Sequence, residues 1–504
     1  MKNLAHKDIL ILGLGASGIR RARWCVRCGA RVTVADTRPA PPRLQALRAS
    51  LPTASFVHAE MNEELLLLGA FDMVLKSPGL SPDVLATVMA AAKVEGIFCG
   101  NELSLFAQAL ADLKEDRAYA PQVIGITGTN GKTTVTSLTG QLVQRAGKSV
   151  AVAGNIGPTL LDTLTEKLDE KSGDVGLFAL PEVWVLELSS FQLDESTNFE
   201  PTVATTLNIS QDHLDWHGTL SAYMAAKANV YGSAGLMLLN RDDPLVMAAL
   251  PAPVKGKQLR LYLTFGGDEP KRPGDYGIGT VNGMAWLVRA AEADETIKRR
   301  KVEEVVLHIQ RLMPLEALRI HGRHNATNAL AALGLAVAAG CPLAPMLHGL
   351  REYRGEPHRV ESVAVLREVE YFDDSKGTNV GATVAALAGL GAERKLVLIL
   401  GGEGKGQDFS PLAEPVSRYA RAVVLIGRDA KLIRAALQHS HVCLLDATTM
   451  EAAVITAAAQ AKHGDAVLMS PACASFDMFD NYEHRALAFC NAVQVLAQDQ
   501  GAVL

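Results

Sequence analysis

Excess positive charge is missing from this chain of 504 residues. Its formal net charge is -5. That argues against general binding to nucleic acid or to anionic membranes, which need a basic surface. Cysteine is sparse, with seven residues, scattered and odd in number. A secreted disulfide framework is therefore not expected. Cys25 and Cys28 form a C-x-x-C, but no second pair and no nearby histidine completes a metal site. They read as ordinary thiols on a helix. No run is long and apolar enough for a membrane span. The longest uncharged stretch, Ala329 to Leu347, is broken by Gly340 and Pro342 and reads as a buried helix with a turn. No signal peptide is visible either. The short run Ile9 to Leu14 is followed by Arg20, Arg21 and Arg23 rather than by a small-residue cleavage site. A cytoplasmic protein without membrane insertion is expected. No short-period repeat is found.

Hydrophobic residues make up 48% and charged residues 20% of the chain. Each domain can then bury a core, and disorder is not expected. At about 150 residues per domain the length suggests roughly three domains. Short apolar runs alternate with helical stretches. In the first 100 residues the strands fall at Ile9–Leu12, Arg31–Ala35 and Phe71–Leu75. A second group runs Val123–Thr127, Ser149–Ala153, Trp184–Leu188 and Val203–Leu207, closed by a helix at Asn325–Ala339. A third runs Glu368–Asp373, Lys395–Leu400, Ala422–Ile426, Val442–Leu445 and Ala466–Met469. The fold class is α/β, with parallel sheets and a Rossmann-like first and last domain. The turn Gly355-Glu356-Pro357 suits a boundary. The expected domains are 1-100, 101-355 and 356-504. The charged stretches Glu166–Asp174 and Arg289–Glu304 read as surface insertions, since neither could cover a core face.

Chemistry concentrates where strands end. Gly125-Ile126-Thr127-Gly128-Thr129-Asn130-Gly131-Lys132-Thr133-Thr134 follows a strand and opens a helix. Glycines let backbone wrap a phosphate, the helix start adds partial positive charge, and Lys132 adds a full one. Thr133 can offer its hydroxyl to Mg²⁺. The eight-residue P-loop pattern fails, because its first glycine would fall on Ile126. What stands is the variant G-T-N-G-K-T-T. Glu187 ends an apolar run, where an acid suits Mg²⁺; a capping or solvated acid is the plain alternative. Asn208 to His217 follows another strand and offers oxygens and imidazoles, as either a metal-binding or simply a polar loop.

Gly13-Leu14-Gly15-Ala16-Ser17-Gly18 satisfies G-x-G-x-x-G, with Asp36 ending the next strand. This points to a nucleotide without identifying it. In the last third, Asp373 to Asn379 and Ser470 to Ser475 put hydroxyls and a cation at strand ends, which suits a small carboxylate. Cys473 lies between alanines and reads as a packed thiol.

These motifs resemble the Mur ligase family from about Ile9 to Arg485. G-T-N-G-K-T-T is shared with folylpolyglutamate synthases. Glu187-Leu188-Ser189-Ser190-Phe191-Gln192-Leu193, Asp374-Ser375-Lys376-Gly377-Thr378-Asn379 and Ser470-Pro471-Ala472-Cys473-Ala474-Ser475 are more specific. The resemblance implies a UDP-binding domain, a central ATPase domain, and a C-terminal domain for amino acid and adenine nucleotide. It implies addition of D-glutamate to UDP-N-acetylmuramoyl-L-alanine through an acyl phosphate, in peptidoglycan synthesis. The implied cofactors are ATP and Mg²⁺ (two ions), and the implied state is a monomer. Gly15, Ser17, Asp36, Thr37, Arg38 and Ser77 would hold the UDP substrate, with Asn155 on substrate or phosphate. Gly128, Thr129, Asn130, Gly131, Lys132, Thr133 and Thr134 would cradle the ATP phosphates. Asn325, Asn328, Arg359 and Asp374 would hold the adenine nucleotide. Glu187 and His213, with Thr133, would bind metal. Lys376, Thr378, Lys405, Ser475 and Tyr482 would surround D-glutamate and the reacting carboxyl. Lys227 matches a lysine that the family carbamylates, whereas the residues alone make it an ordinary helix-surface lysine. Lys132, Lys227, His213 and Lys376 are the implied catalytic residues. The closing motif N-F-E-x-R-G is here Asn481-Tyr482-Glu483-His484-Arg485-Ala486, which keeps the ring. A sister ligase using another amino acid, a folylpolyglutamate-synthase-like ligase, a nicotinamide dehydrogenase and a P-loop switch are the rivals.

Overall fold

The computed structural model describes residues 2–172, 177–178, 180–293, 306–320, 322–392 and 394–501. The chain divides into two compact units. One holds residues 1–209, 213–265 and 331–346; the other holds 210–212, 266–330 and 347–504.

The first unit contains two parallel sheets. The N-terminal sheet runs Ser55–His58, Arg31–Asp36, Asp8–Leu12, Met73–Lys76, Phe98–Gly100 in spatial order. Ile9 pairs with Val32 on one side and Met73 on the other. The strand expected at Phe71–Leu75 thus begins two residues later and ends on Lys76. The second sheet runs Tyr262–Phe265, Leu236–Asn240, Val203–Thr206, Gln122–Thr127, Val183–Glu187, Val150–Gly154. Its central strands are covered on both faces, so they read as unbroken apolar runs.

The second unit carries an antiparallel ribbon, Tyr276–Val281, Met284–Glu292 and Leu307–Pro314. It also carries a six-stranded sheet, with Glu361–Leu366 as an antiparallel edge on Val369–Asp373. Ala466–Met469, Leu396–Gly401, Ala420–Ile426 and Cys443–Asp446 follow in parallel. Buried residues form one core on each face of this sheet. The uncharged stretch Ala329 to Leu347 falls in the helices Arg323–Ala338 and Leu343–Glu352, with Gly340 at φ +79° between them.

The described parts of the two charged stretches belong to regular elements with a buried face, which corrects the expectation for those residues. Glu166 to Asp169 end the helix Leu160–Asp169, which buries Leu160, Leu161, Leu164 and Leu168. Four leucines on one face contribute about 1.5–3 kcal/mol each, and the charges occupy the outer face. Arg289 to Glu292 lie in the strand Met284–Glu292, which buries Val288 and Ala290. Residues 173–174 and 294–304 are outside the described residues. The C-x-x-C carries no special chemistry: burial pushes the Cys25 thiol up and Cys28 to about 11.

Candidate functional site

Four carboxyl-terminal strand ends lie side by side in the central sheet. Thr206 pairs with Thr127, Ile126 with Glu187, and Glu187 with Gly154. Ligands of open α/β sheets bind outside such ends.

The Gly128–Thr134 loop leaves the Thr127 end. Asn208 straps it from the neighbouring strand: Thr129 N donates to Asn208 O at 2.9 Å and Asn130 N to Asn208 Oδ1 at 2.8 Å. Asn208 Nδ2 donates back to Asn130 O at 3.0 Å. Gly128 sits at φ +151°, and a Cβ there would meet Leu207 Cβ at 3.0 Å. Backbone conformation and space both require glycine. Gly131, at φ +84°, precedes the helix Lys132–Arg145, whose start has no side-chain cap. A phosphate suits such a helix start.

Two lysines meet on one carbonyl. Lys132 Nζ donates to Gly128 O at 2.8 Å and Thr129 O at 2.9 Å. Lys227 Nζ donates to the same Gly128 O at 2.9 Å and lies 3.4 Å from Thr127 Oγ1. The surface reading of Lys227 is thus corrected: it is 2% exposed, with its ammonium 4.6 Å from the centroid of Tyr223. Tyr223 OH in turn lies 3.0 Å from Thr129 Oγ1.

Glu187 is buried, and Asn155 Nδ2 donates to its Oε1 at 3.0 Å. Gly154 permits this approach, since a Cβ there would lie 2.0 Å from Glu187 O. Asn155 therefore belongs to the central strand ends. His213, at φ +52°, immediately precedes the short helix Leu214–His217 without a side-chain capping bond, its ring 4.7 Å from Phe191. Oxygen donors at Glu187 beside a phosphate-type loop fit a hard divalent cation with a nucleotide.

The remaining residues expected at the UDP substrate line a separate cavity of about 310 Å³ on the N-terminal sheet: Gly15, Ser17, Asp36, Thr37, Arg38 and Ser77. Gly18 lets helix and loop pack, because a Cβ would lie 2.0 Å from Gly13 O. Asp36 does not face the cavity as a spare acid. Its carboxylate accepts Leu14 N at 2.7 Å and both Nε and Nη2 of Arg38 at 2.8 Å. The Arg38 guanidinium, followed by backbone donors, holds this carboxyl down to about 2. Arg21 was missed by sequence reasoning. It is fully buried and donates to Lys76 O, to Ser77 Oγ at 2.5 Å and to Ser17 O at 3.2 Å.

In the second unit, Asn328 Nδ2 donates to Asn325 Oδ1 at 3.1 Å on one helix. Asp374 accepts Ser470 Oγ at 2.6 Å, and burial pushes its carboxyl up to about 7, against the opposing influence of Ser470 and of Arg359. Lys376 Nζ lies 3.6 Å from the centroid of the Tyr482 ring, and Thr378 N donates to Lys376 O at 2.9 Å. Lys405, at φ +52°, lies 5.8 Å from the centroid of Phe476, and Ser475 is buried beside it in sequence. Arg485, also missed, clamps two motif loops from below, donating to Cys473 O at 3.0 Å and Ser375 O at 2.9 Å. Cys473 is buried with its thiol pushed up to about 12, as a packed thiol should be.

Asp374 sets a pH dependence. Its folded value lies above the ordinary one, so its contribution to stability is full below about pH 4 and lost as pH rises through about 7. Asp374→Asn keeps the oxygen that accepts from Ser470 and cannot ionise. Relative to the wild type it should gain roughly 2–4 kcal/mol between pH 4 and pH 8. Urea denaturation at both pH values measures this; a constant difference would refute it.

Fold and strand-end chemistry define a P-loop α/β protein with a second nucleotide-sized cavity. Comparison with known proteins agrees. The family models for the Mur ligase MurD-like N-terminal domain, the Mur ligase middle domain and the Mur ligase glutamate ligase domain match residues 7–98, 126–336 and 358–473. A UDP-N-acetylmuramoylalanine–D-glutamate ligase of Polaromonas sp. is 60% identical over 100% of both chains. A protein of the same name from Albidiferax ferrireducens is 65% identical over 100% of this chain and 99% of that one. The chain belongs to the Mur ligase family. Among solved structures, the MurF ligase of Thermotoga maritima, in complex with ADP, superposes with a TM-score of 0.57 at 16% identity, covering 99% of this chain and 98% of that one. The UDP-N-acetylmuramate–alanine ligase of the same organism gives 0.51 at 19%, covering 97% and 100%. At these identities the likeness is one of fold.

Proposed function

We propose that this protein is the ATP-dependent ligase that adds D-glutamate to UDP-N-acetylmuramoyl-L-alanine in peptidoglycan synthesis. The observation that carries this reading is the full-length identity to proteins named for that reaction. A carboxylate does not react with an amine at a useful rate. The alanyl carboxylate would attack the γ-phosphorus of ATP, releasing ADP and leaving an acyl phosphate. The D-glutamate amine would then attack the acyl carbon, expelling phosphate and losing a proton. Mur ligases use ATP and Mg²⁺; the metal supplies charge neutralisation at the phosphates.

Placement and the family resemblance support the following roles for the chain's own residues. Lys132 and the loop amides hold transferring phosphate oxygens. Glu187, with Thr133 and His213, is the metal set. Lys227 joins it as a carbamate, which exchanges a cation for an anion beside the loop. The cavity at Gly15 to Ser77 takes the uridine nucleotide, which suits a 1-100 domain; 101-355 takes ATP, and 356-504 the amino acid and adenine. Asn325 and Asn328, from the end of the central domain, serve adenine nucleotide with Arg359 and Asp374 of the last domain, where Lys376, Thr378, Lys405, Ser475 and Tyr482 serve D-glutamate. No described helix is long and apolar enough to cross a membrane; the reading includes a cytoplasmic location and a monomeric state.

Phosphate release from ATP in the presence of UDP-N-acetylmuramoyl-L-alanine tests the reading. D-glutamate should stimulate it, and L-alanine, L-lysine, diaminopimelate and L-glutamate should not. Stimulation by another amino acid would favour a sister ligase. Arg38 tests the nucleotide assignment. Arg38→Ala should raise KM for the UDP substrate about tenfold, the loss of one charge-assisted contact, and leave KM for ATP within about twofold. Equal effects on both would show the site wrongly placed.

A further inference from the structure

Next in sequence to Ser77, which lines the nucleotide cavity, stands a lysine that the proposed reaction does not use. Lys76 ends the strand Met73–Lys76 and is 5% exposed. Its ammonium does not enter the cavity formed by the next residue, Ser77. It leaves the N-terminal sheet and pairs with Asp194 Oδ2 at 2.5 Å and Glu195 Oε2 at 3.2 Å. Those acids close the short helix Ser190–Leu193, itself fixed by a reciprocal Ser189–Gln192 cap. Glu187 stands two residues before that cap. Asn101 reinforces the joint, donating to Gln192 O at 2.9 Å and Asp194 O at 3.3 Å. Glu195 is held at φ +52°, a left-handed backbone that a side-chain-bearing residue rarely adopts. On the cavity side, Lys76 O accepts from Arg21, which also holds Ser77 Oγ and Ser17 O. A continuous set of polar contacts thus runs from the nucleotide cavity through buried Arg21 and Lys76 to the partly exposed acids of the segment that follows the central acid.

Burying the Lys76 ammonium is costly even with acids beside it that keep some solvent access, and an apolar residue could fill the same place. What an ion pair adds is a defined direction and distance. We propose that Lys76 is a positioning residue that couples nucleotide occupancy of the Gly15–Ser77 cavity to the placement of Glu187 at the phosphoryl-transfer centre. The inference rests on the ligase reading above.

Lys76→Met keeps the length and removes the charge, and Asp194→Asn removes the same bond from the other end. Both are made in the full chain. Wild-type protein should bind a non-hydrolysable ATP analogue more tightly when UDP-N-acetylmuramoyl-L-alanine is present. In either variant this enhancement should disappear, while affinity for each ligand alone stays within about twofold. The kcat should fall about tenfold, the scale of a small misplacement of reacting groups. The double variant should be no worse than the poorer single one. A purely structural joint would lower the melting temperature without abolishing the mutual enhancement, and that result overturns the proposal. So does an enhancement that survives in Asp194→Asn if Lys76→Met does not fold. Absence of D-glutamate-dependent phosphate release in the wild type would sink the ligase reading and this inference together. Unchanged variants of an active wild type would sink this inference alone.

Discussion

Lys132→Ala should lower turnover by about 10³-fold, the scale of removing a preorganised charge from a transition state, while the protein still folds. Lys132 is the first residue of its helix, and its ammonium bends back over the loop onto Gly128 O and Thr129 O. Those bonds are to a loop already strapped by Asn208, so its shape does not depend on the lysine. The charge is needed when negative charge moves between phosphate oxygens, and no neighbouring amide supplies a full unit. Both the melting temperature and kcat should be measured. Turnover within about threefold of wild type, a loss under roughly 0.7 kcal/mol, would rule out the role.

Lys227→Ala should be nearly inactive, with a loss of about 10²-fold or more, and acetate should restore part of it. The buried position makes rescue physically reasonable. Truncation opens a space lined by Tyr223 and the loop carbonyl that Lys227 contacts. A small carboxylate can enter there and stand in for the carbamate as an anion. The same geometry gives a second route to the answer. Protein held in carbon-dioxide-depleted buffer should lose activity, and ¹³C-labelled carbon dioxide should give a carbamate signal absent from the variant. Full activity with an unmodified side chain would be decisive against a carbamate. A large stability loss with no acetate response would instead make Lys227 a structural tie to Gly128.

The sequence by itself determined what is local. The phosphate loop is contiguous, and its glycines, lysine and helix start fix its chemistry within a few residues. Many of the buried parallel strands were legible because burial on both faces makes an unbroken apolar run, as at Val183–Glu187, whereas Leu236–Asn240 was not read although it is such a run. The edge strand Ser55–His58, and the alternating ribbon of the second unit, lack such runs and went unseen. Only the tertiary structure decided which cations are buried. Lys227 lies on a helix without a marked polar and apolar face, yet its ammonium reaches a strand end 100 residues earlier. Arg21, Lys76 and Arg485 have no role assigned from the sequence, and each proves to hold backbone or acids from a distant segment. The physical reason is range. Backbone conformation and periodicity are set by neighbours along the chain, whereas the partner that makes a buried charge tolerable comes from wherever the fold brings one.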